Sequence, residues 1–418
     1  MKTFLSFINL FACSRASSQD LGNAIVPFDS KMLFMRFFFS FLFLTGLYGC
    51  VEPIEIETNN YEDALVIEGI ITSELQQQEI LLSRTYRLEE DGPSKESNAQ
   101  VVVMTEGENF QFTELEPGRY VSTEAFRAIP GRAYTLKVTT SNGKTYASEP
   151  EVLSEAPELS DVSAVRTTYR NKEGVAILLD VDGNEKNPGY YLYNFEETYK
   201  IVSPFDFPRD LVYRDGEFVQ VPKTREEEVC YVTELSREVL LANTNAENSR
   251  GIDDLLVRFI EGEDYRTAHR YSIRVRQFSI SGDAFSYYET LKDFSDSESL
   301  FSQNQLGLIN GNLFSESDPD EKVIGFFSIA DVSSQRIFFD FEDFYSTKEF
   351  IPDSHVSLCE VKVPDSSTDA EIQALRQQLE SGSVKFIGMD VLKYRFVRSH
   401  CVDCTLYGTN AVPDFWIE

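Results

Sequence analysis

The chain has 418 residues, and 38 Lys+Arg stand against 69 Asp+Glu, a formal charge of −31 at neutral pH. With 42% hydrophobic and 13% aromatic residues it can bury a real core and is not a disordered chain. So acidic a chain repels phosphate backbones and anionic lipid, which excludes nucleic acid as a partner and leaves covalent attachment as the route onto a membrane.

Residues 1–49 read as a leader. From Met32 the sequence is MLFMRFFFSFLFLTGLYGC. Lys31 and Arg36 precede a short apolar run over 37–44, and Leu47-Tyr48-Gly49-Cys50 follows. A basic region, a short apolar region and a small residue before the cut make a secretory signal. The run falls short of the roughly 20 apolar residues that span a bilayer. An apolar residue three before Cys50, with Gly49 between, resembles the bacterial lipobox, so Cys50 is the expected lipidation site. The alternative, an ordinary signal with a chance cysteine, conflicts with the scarcity of free Cys in exported chains. Leu10-Phe11-Ala12-Cys13 is a second lipobox-like stretch, but anchoring at Cys13 would leave the Phe-rich run exposed. Residues before Met32 or Met35 therefore read as a mis-assigned extension. Residues 50–60 form an acidic tether, and without 1–49 the net charge is −33. Two acyl chains on one Cys supply the second anchoring signal that a single chain lacks.

Past the tether the pattern is β. Residues 64–71 are nearly continuously apolar, as a core strand is. Residues 78–83, 99–104 and 110–113 follow as strands. Tyr134, Leu136 and Val138 alternate with Thr135, Lys137 and Thr139, and Asn142-Gly143 suits a positive-φ hairpin turn. About seven short strands predict an immunoglobulin- or transthyretin-like β-sandwich over 61–155 that folds on its own. Residues 148–157 are its exit linker.

Residues 156–418 predict a larger β-rich domain with a few helices. Strands are expected at 175–181, 190–193, 229–232, 269–276 and 337–341. Ser281-Gly282-Asp283 caps a helix over 284–294 with Phe285, Tyr288 and Leu291 inward. Ser367-Thr368-Asp369 caps another over 370–379 with Ile372, Leu375 and Leu379 inward. No fixed-period repeat is visible, which argues against solenoids and propellers. The fold class is thus mainly β, a sandwich followed by a larger β-rich domain.

The chain resembles the Bacteroidetes lipoprotein family called domain of unknown function 4249. The resemblance rests on Cys50-Val51-Glu52-Pro53-Ile54, Leu65-Val66-Ile67-Glu68-Gly69, Ile129-Pro130-Gly131-Arg132-Ala133-Tyr134, and Ser279-Ile280-Ser281-Gly282-Asp283-Ala284-Phe285. Asp318-Pro319-Asp320-Glu321 leading into Gly325-Phe326-Phe327, and the late Cys401-Val402-Asp403-Cys404, complete it. It implies an outer-membrane lipoprotein, often encoded near TonB-dependent receptors, and from this follows the expectation of a protein on the periplasmic or cell-surface face that works with such a receptor. It implies no activity and no catalytic residues. Acidic residues just after Cys50 also resemble the surface-export signals of such lipoproteins.

Four further cysteines, Cys230, Cys359, Cys401 and Cys404, read as two disulfides in an oxidising envelope. Spacing leaves three pairings open. Cys359 with Cys401 or Cys404 is preferred, because both flank one helix-and-strand unit. The rival is zinc held by members of the set His355, Cys359, His400, Cys401 and Cys404. No strand–helix context around the C-x-x-C suits a thioredoxin-like role.

Asp180, Asp182 and Asn184 offer oxygen ligands for calcium but lack the EF-hand order, and a polar turn explains them as well. Glu226-Glu227-Glu228 reads as a solvated charge run. The aromatic segment 190–199 is a possible ligand platform, half core by strand alternation. No H-E-x-x-H, G-x-S-x-G or G-x-G-x-x-G occurs, and no cofactor is expected. The expectation is a non-enzymatic, lipid-anchored binding or accessory protein. A carboxylate-based hydrolase and a structural or adhesive envelope component are the alternatives.

Overall fold

Strand alternation decides the N-terminal part. In the computed structural model, residues 63–418 are described apart from 88–89, 91, 154–157, 183–188, 245–250, 297–310, 347–351, 353, 366 and 392. The leader, Cys50 and the tether lie outside the described residues. The chain opens with β1 (Leu65–Thr72), β2 (Glu79–Arg84), β3 (Gln100–Thr105), β4 (Glu108–Glu116), β5 (Arg119–Ser122), β6 (Ala133–Thr139), β7 (Thr145–Ser148) and β8 (Glu151–Val152). In β6 the expected alternation holds: Tyr134, Leu136 and Val138 are buried and their neighbours are not. The turn after β6 differs from expectation. Only Gly143 takes positive φ; Asn142 instead accepts from the Lys144 N–H through its side chain at 3.1 Å, which closes the loop locally.

The chain continues with β9 (Leu159–Tyr169), β10 (Lys172–Asp182), β11 (Tyr190–Val202), β12 (Arg209–Arg214), β13 (Glu217–Pro222), β14 (Val229–Leu235), β15 (Leu240–Asn243), β16 (Gly251–Glu261) and β17 (Tyr271–Ile280). Then come α1 (Gly282–Asp296), β18 (Leu313–Ser315), β19 (Val323–Phe339), α2 (Asp369–Glu380), β20 (Val384–Asp390) and β21 (Lys393–Arg398). The mainly β class with two helices among the described residues agrees with the sequence.

One long sheet runs in the order β14-β11-β17-β19-β1-β2-β5-β4-β3-β6-β7-β18, with β15 on β11 and β8 on β6. Its spine is β19. Residues 323–330 pair in parallel with β1, and residues 331–339 pair antiparallel with β17. The two halves of β19 therefore serve two cores. Phe327 and Ile329 join Ile67, Ile71, Tyr120 and Leu136 in the first. Phe339 joins Tyr193, Tyr271, Ile273 and Val275 in the second. The second core is closed by the sheet β16-β10-β9, whose central strand buries Val175, Ile177, Leu179 and Val181.

This corrects the expected boundary at residue 155. The sandwich of 61–155 is not self-contained, because β18 pairs with β7 and Leu313, Phe327 and Ile329 fill its core. Residues 60–418 form one compact unit. Glu74 reinforces the join by pairing with Arg274 at 3.5 Å and with Arg276.

Both helices start where expected. Thr368 caps α2 in a reciprocal capping box with Glu371, and Leu375 is its buried residue. In α1, Ala284, Phe285 and Tyr287 are buried, but Leu291, expected inward, is exposed. No helix among the described residues is long and apolar enough to cross a membrane.

Candidate functional site

The cysteines build a small satellite lobe. Hairpins β12–β13 and β20–β21 with α2 enclose a separate core of Leu211, Leu375, Phe386 and Phe396, too small to be stable alone. Covalent staples offset that deficit. Cys230 in β14 bonds Cys404 across 174 residues. Cys359 bonds Cys401 across 42, one of the two preferred pairings. The five residues weighed for zinc are divided by these bonds. Cys359, His400 and Cys401 lie together, but both sulfurs are consumed in the disulfide, Cys404 is held by Cys230, and His355 stacks edge-on against Tyr407.

Beside the Cys359–Cys401 bond lies an open groove of about 470 Å³ lined by Leu358, Cys359, Glu360, Lys362 and Arg398. Leu358 is 81% exposed and holds φ at 60°, an unusual conformation for a residue with a branched side chain.

Under the lobe sits an ionic cluster that the sequence reading missed. Glu227, taken as part of a solvated run, is 1% exposed. Its carboxylate lies 2.8 Å from Lys385 Nζ, 2.5 Å from Arg225 and 3.4 Å from Lys223. Asp403 is 3.4 Å from Arg225. Burial alone would lower the Lys223 pKa, but Asp206 and Glu227 more than reverse it and hold the ammonium charged. Glu227 lies in the connection between β13 and β14, where the chain bends at Arg225 and Glu228, and it turns inward while Glu226 stays outward. The cluster joins the β13–β14 connection to β20, so it fixes the lobe to the large sheet. A second buried carboxylate, Glu197, is gripped between sheets by Tyr271 Oη at 2.6 Å and Arg258 Nε at 3.2 Å.

The remaining sequence candidates resolve into structural roles. Tyr191, Tyr193 and Tyr199 are buried in the second core, with Phe195 packed against it, so the segment 190–199 is core and not a ligand platform. Asp180 Oδ1 accepts from the Asp254 N–H at 2.8 Å where the β10–β16 register shifts. Asp182 is exposed, its N–H donating to Ser160 Oγ at 2.8 Å. Asn184 lies outside the described residues. Among the described residues, Asp180 and Asp182 belong to no convergent acidic set.

Two of the family-like segments, Leu65–Gly69 and Gly325–Phe327, meet at the β1–β19 seam. Ile67 opposes Gly325 and Gly69 opposes Phe327. Gly325 has φ +126°, and a Cβ there would stand 1.8 Å from the Ile67 carbonyl oxygen, so only glycine fits. Asn312 accepts from the Phe327 N–H at 2.9 Å and donates to the Phe327 carbonyl at 2.8 Å. It also donates to Glu151 at 3.4 Å; burial raises the Glu151 pKa, partly offset by Ser281 and Asn312. Glu321, after the Asp318 turn, accepts from Lys144 and Tyr146 at 2.9 Å. Burial and that carboxylate push the Tyr146 hydroxyl up to about 12. These segments are conformational and packing determinants of the join between the two cores.

A search of curated proteins finds no match to the chain. Among solved structures, a DUF4785-family protein from Legionella pneumophila is similar at 8% identity and TM-score 0.16, over 51% of each chain. The chain thus spans about half the length of that protein, and so low a score carries no argument about fold or role. The family model described as domain of unknown function (DUF4249) matches residues 51–336, which takes in the first core, the β1–β19 seam and the part of the second core that precedes Phe339. The chain belongs to the DUF4249 family.

Proposed function

We propose that this chain is an exported lipoprotein, anchored through Cys50 to the outer membrane of a Bacteroidetes bacterium, that binds a partner and assists a TonB-dependent receptor. The observation that carries the reading is the pair of disulfides, Cys230–Cys404 and Cys359–Cys401. Structural disulfides of this kind persist in oxidising compartments, which is where the signal ending at Cys50 would deliver the chain. The acidic tether then holds the folded unit away from the lipid, on the periplasmic or cell-surface face.

A binding role is favoured over a hydrolytic one because the buried carboxylates have structural partners. Glu197 is held by Arg258 and Tyr271, and Glu227 by Lys385 and Arg225. The stapled lobe, with the exposed Leu358 beside its groove, is the surface proposed to meet the partner. Metabolic labelling with a palmitate analogue tests the anchor. Label should enter the wild-type chain and vanish in Cys50→Ala, which should leave the membrane fraction. Persistent labelling of Cys50→Ala would refute anchoring at this residue.

A further inference from the structure

A chain of net charge −31 nevertheless gathers cations on one face of its large sheet. On the side away from the second core, β17 presents Arg274 and Arg276, with Arg270 just before it, β19 presents Arg336 and β11 presents Lys200. Arg274 and Arg336 stand directly opposite each other across β17–β19. Like charges in that position destabilise a sheet, and carboxylates offset the repulsion: Glu196 beside Arg336, Glu74 beside Arg274 and Arg276, and Asp340 beside Arg270.

This face is covered by residues 413–418, Pro-Asp-Phe-Trp-Ile-Glu. The segment adds no strand to the sheet; it lies across it and is held by side chains. Trp416, 9% exposed, packs edge-on against Tyr231 at 4.9 Å and Phe338 at 5.9 Å. The Arg336 guanidinium stacks 3.6 Å over the Phe415 ring. Arg270 Nε donates to the Ile417 carbonyl, and Lys200 Nζ lies 3.3 Å from the Glu418 carboxylate. Thr198 and Ser272, polar residues of the same face, are fully buried. Yet Asp414, Phe415, Ile417 and Glu418 are exposed on their outer sides. One buried aromatic anchor, a stacked arginine and a polar rim are the anatomy of a peptide interface. The Lys200–Glu418 pair is open to solvent and adds little to the grip.

We propose that this sheet face is a peptide-binding site, occupied in cis by residues 413–418, that accepts from a partner a short segment of the same chemistry, turned as the Pro413–Trp416 hydrogen bond turns this one: an indole or phenyl anchor flanked by carboxylates. The proposal deepens the binding reading above by giving it a surface and a ligand class. Its test needs neither membrane nor receptor, so its failure and the failure of that reading are distinguishable.

A fluorescein-labelled peptide of residues 411–418 is titrated by anisotropy, in detergent, against three forms of the full chain: intact, Trp416→Ala, and shortened after Ala411. Trp416 is the sole tryptophan, so in the two variants an unlabelled peptide also reports its own burial by a blue shift of indole emission. Saturable binding to both variants, at least tenfold tighter than to the intact chain, is expected. Adding Arg336→Ala and Lys200→Ala to Trp416→Ala should weaken it at least tenfold. Absence of saturable binding to variants whose circular dichroism matches the intact chain would overturn the proposal, as would equal binding to the intact chain. Unfolding of both variants would make residues 413–418 part of the core and overturn it equally.

Discussion

Replacing Glu227 by alanine should loosen the stapled lobe far more than its place in an acidic run suggests. The carboxylate is 1% exposed, with Lys385 at 2.8 Å and Lys223 at 3.4 Å, whose side chains are 17% and 10% exposed. Removing one partner of a buried ion pair costs about 3–5 kcal/mol, because the remaining charge is stranded in low dielectric. Asp403 stays within 3.4 Å of Arg225 and 4.0 Å of Lys385 and retains part of the compensation, so the lower end, about 3 kcal/mol, is expected. Glu226 next to it is exposed and only accepts from the N–H groups of Glu228 and Val229. Its alanine variant should cost about 1 kcal/mol. Hydrogen exchange of the β20–β21 amides reads the difference locally. At about 1.4 kcal/mol per decade, Glu227→Ala should speed their exchange by about a hundredfold and Glu226→Ala by less than about tenfold. Equal effects of the two variants would refute the buried-cluster account.

Other outcomes follow from the same geometry. Chain-entropy arithmetic assigns about 5 kcal/mol to the Cys230–Cys404 bond and about 4 kcal/mol to Cys359–Cys401, since their loops differ in length; paired Cys→Ser variants in chemical denaturation should preserve that order. Gly325→Ala forces a Cβ to 1.8 Å from the Ile67 carbonyl oxygen and should cost more than about 4 kcal/mol, whereas Gly107→Ala, at φ +81° in open space, should cost about 1 kcal/mol. Glu151 has its pKa raised in the fold, chiefly by burial. The folded state therefore holds that proton more tightly, and stability from this group is present at acidic pH and lost as pH rises through its raised pKa. Glu151→Gln should raise the melting temperature at pH 8 and leave it little changed at pH 4; an unchanged difference across that range would contradict the burial argument. A fragment of residues 58–155 lacks Leu313, Phe327 and Ile329 from its core. At about 1.5–3 kcal/mol for each buried side chain, that loss rivals a domain's whole stability, so near-ultraviolet dichroism should show no fixed packing.

Where local physics decides, the sequence was legible. The β6 alternation and the cap at Thr368 each follow from residue type within a short window, and the bond of Cys359 to Cys401 is one of the two pairings that the shared helix-and-strand unit favoured. What was not legible depends on distant chain. Nothing in residues 323–339 announces that one strand changes partner midway, from β1 to β17, so the sandwich looked complete at residue 155. Glu227 looked solvated because Lys385, its partner 158 residues away, is invisible to a local reading. The tyrosines of 190–199 were ambiguous for a related reason: alternation assigns faces, and only the arrival of β10 and β16 shows which face is inside. Leu291 shows the converse, an apolar residue at helical spacing that no element among the described residues comes to cover.

The central claim, an anchored protein that serves a receptor, is tested most directly by purifying the tagged full chain from envelopes in mild detergent and quantifying what accompanies it. A TonB-dependent outer-membrane barrel in near-stoichiometric amount, retained by the wild-type chain and depleted with Cys50→Ala, is the predicted result. Recovery of the chain without any barrel, from cells in which the protein is membrane-bound and folded, would contradict the account.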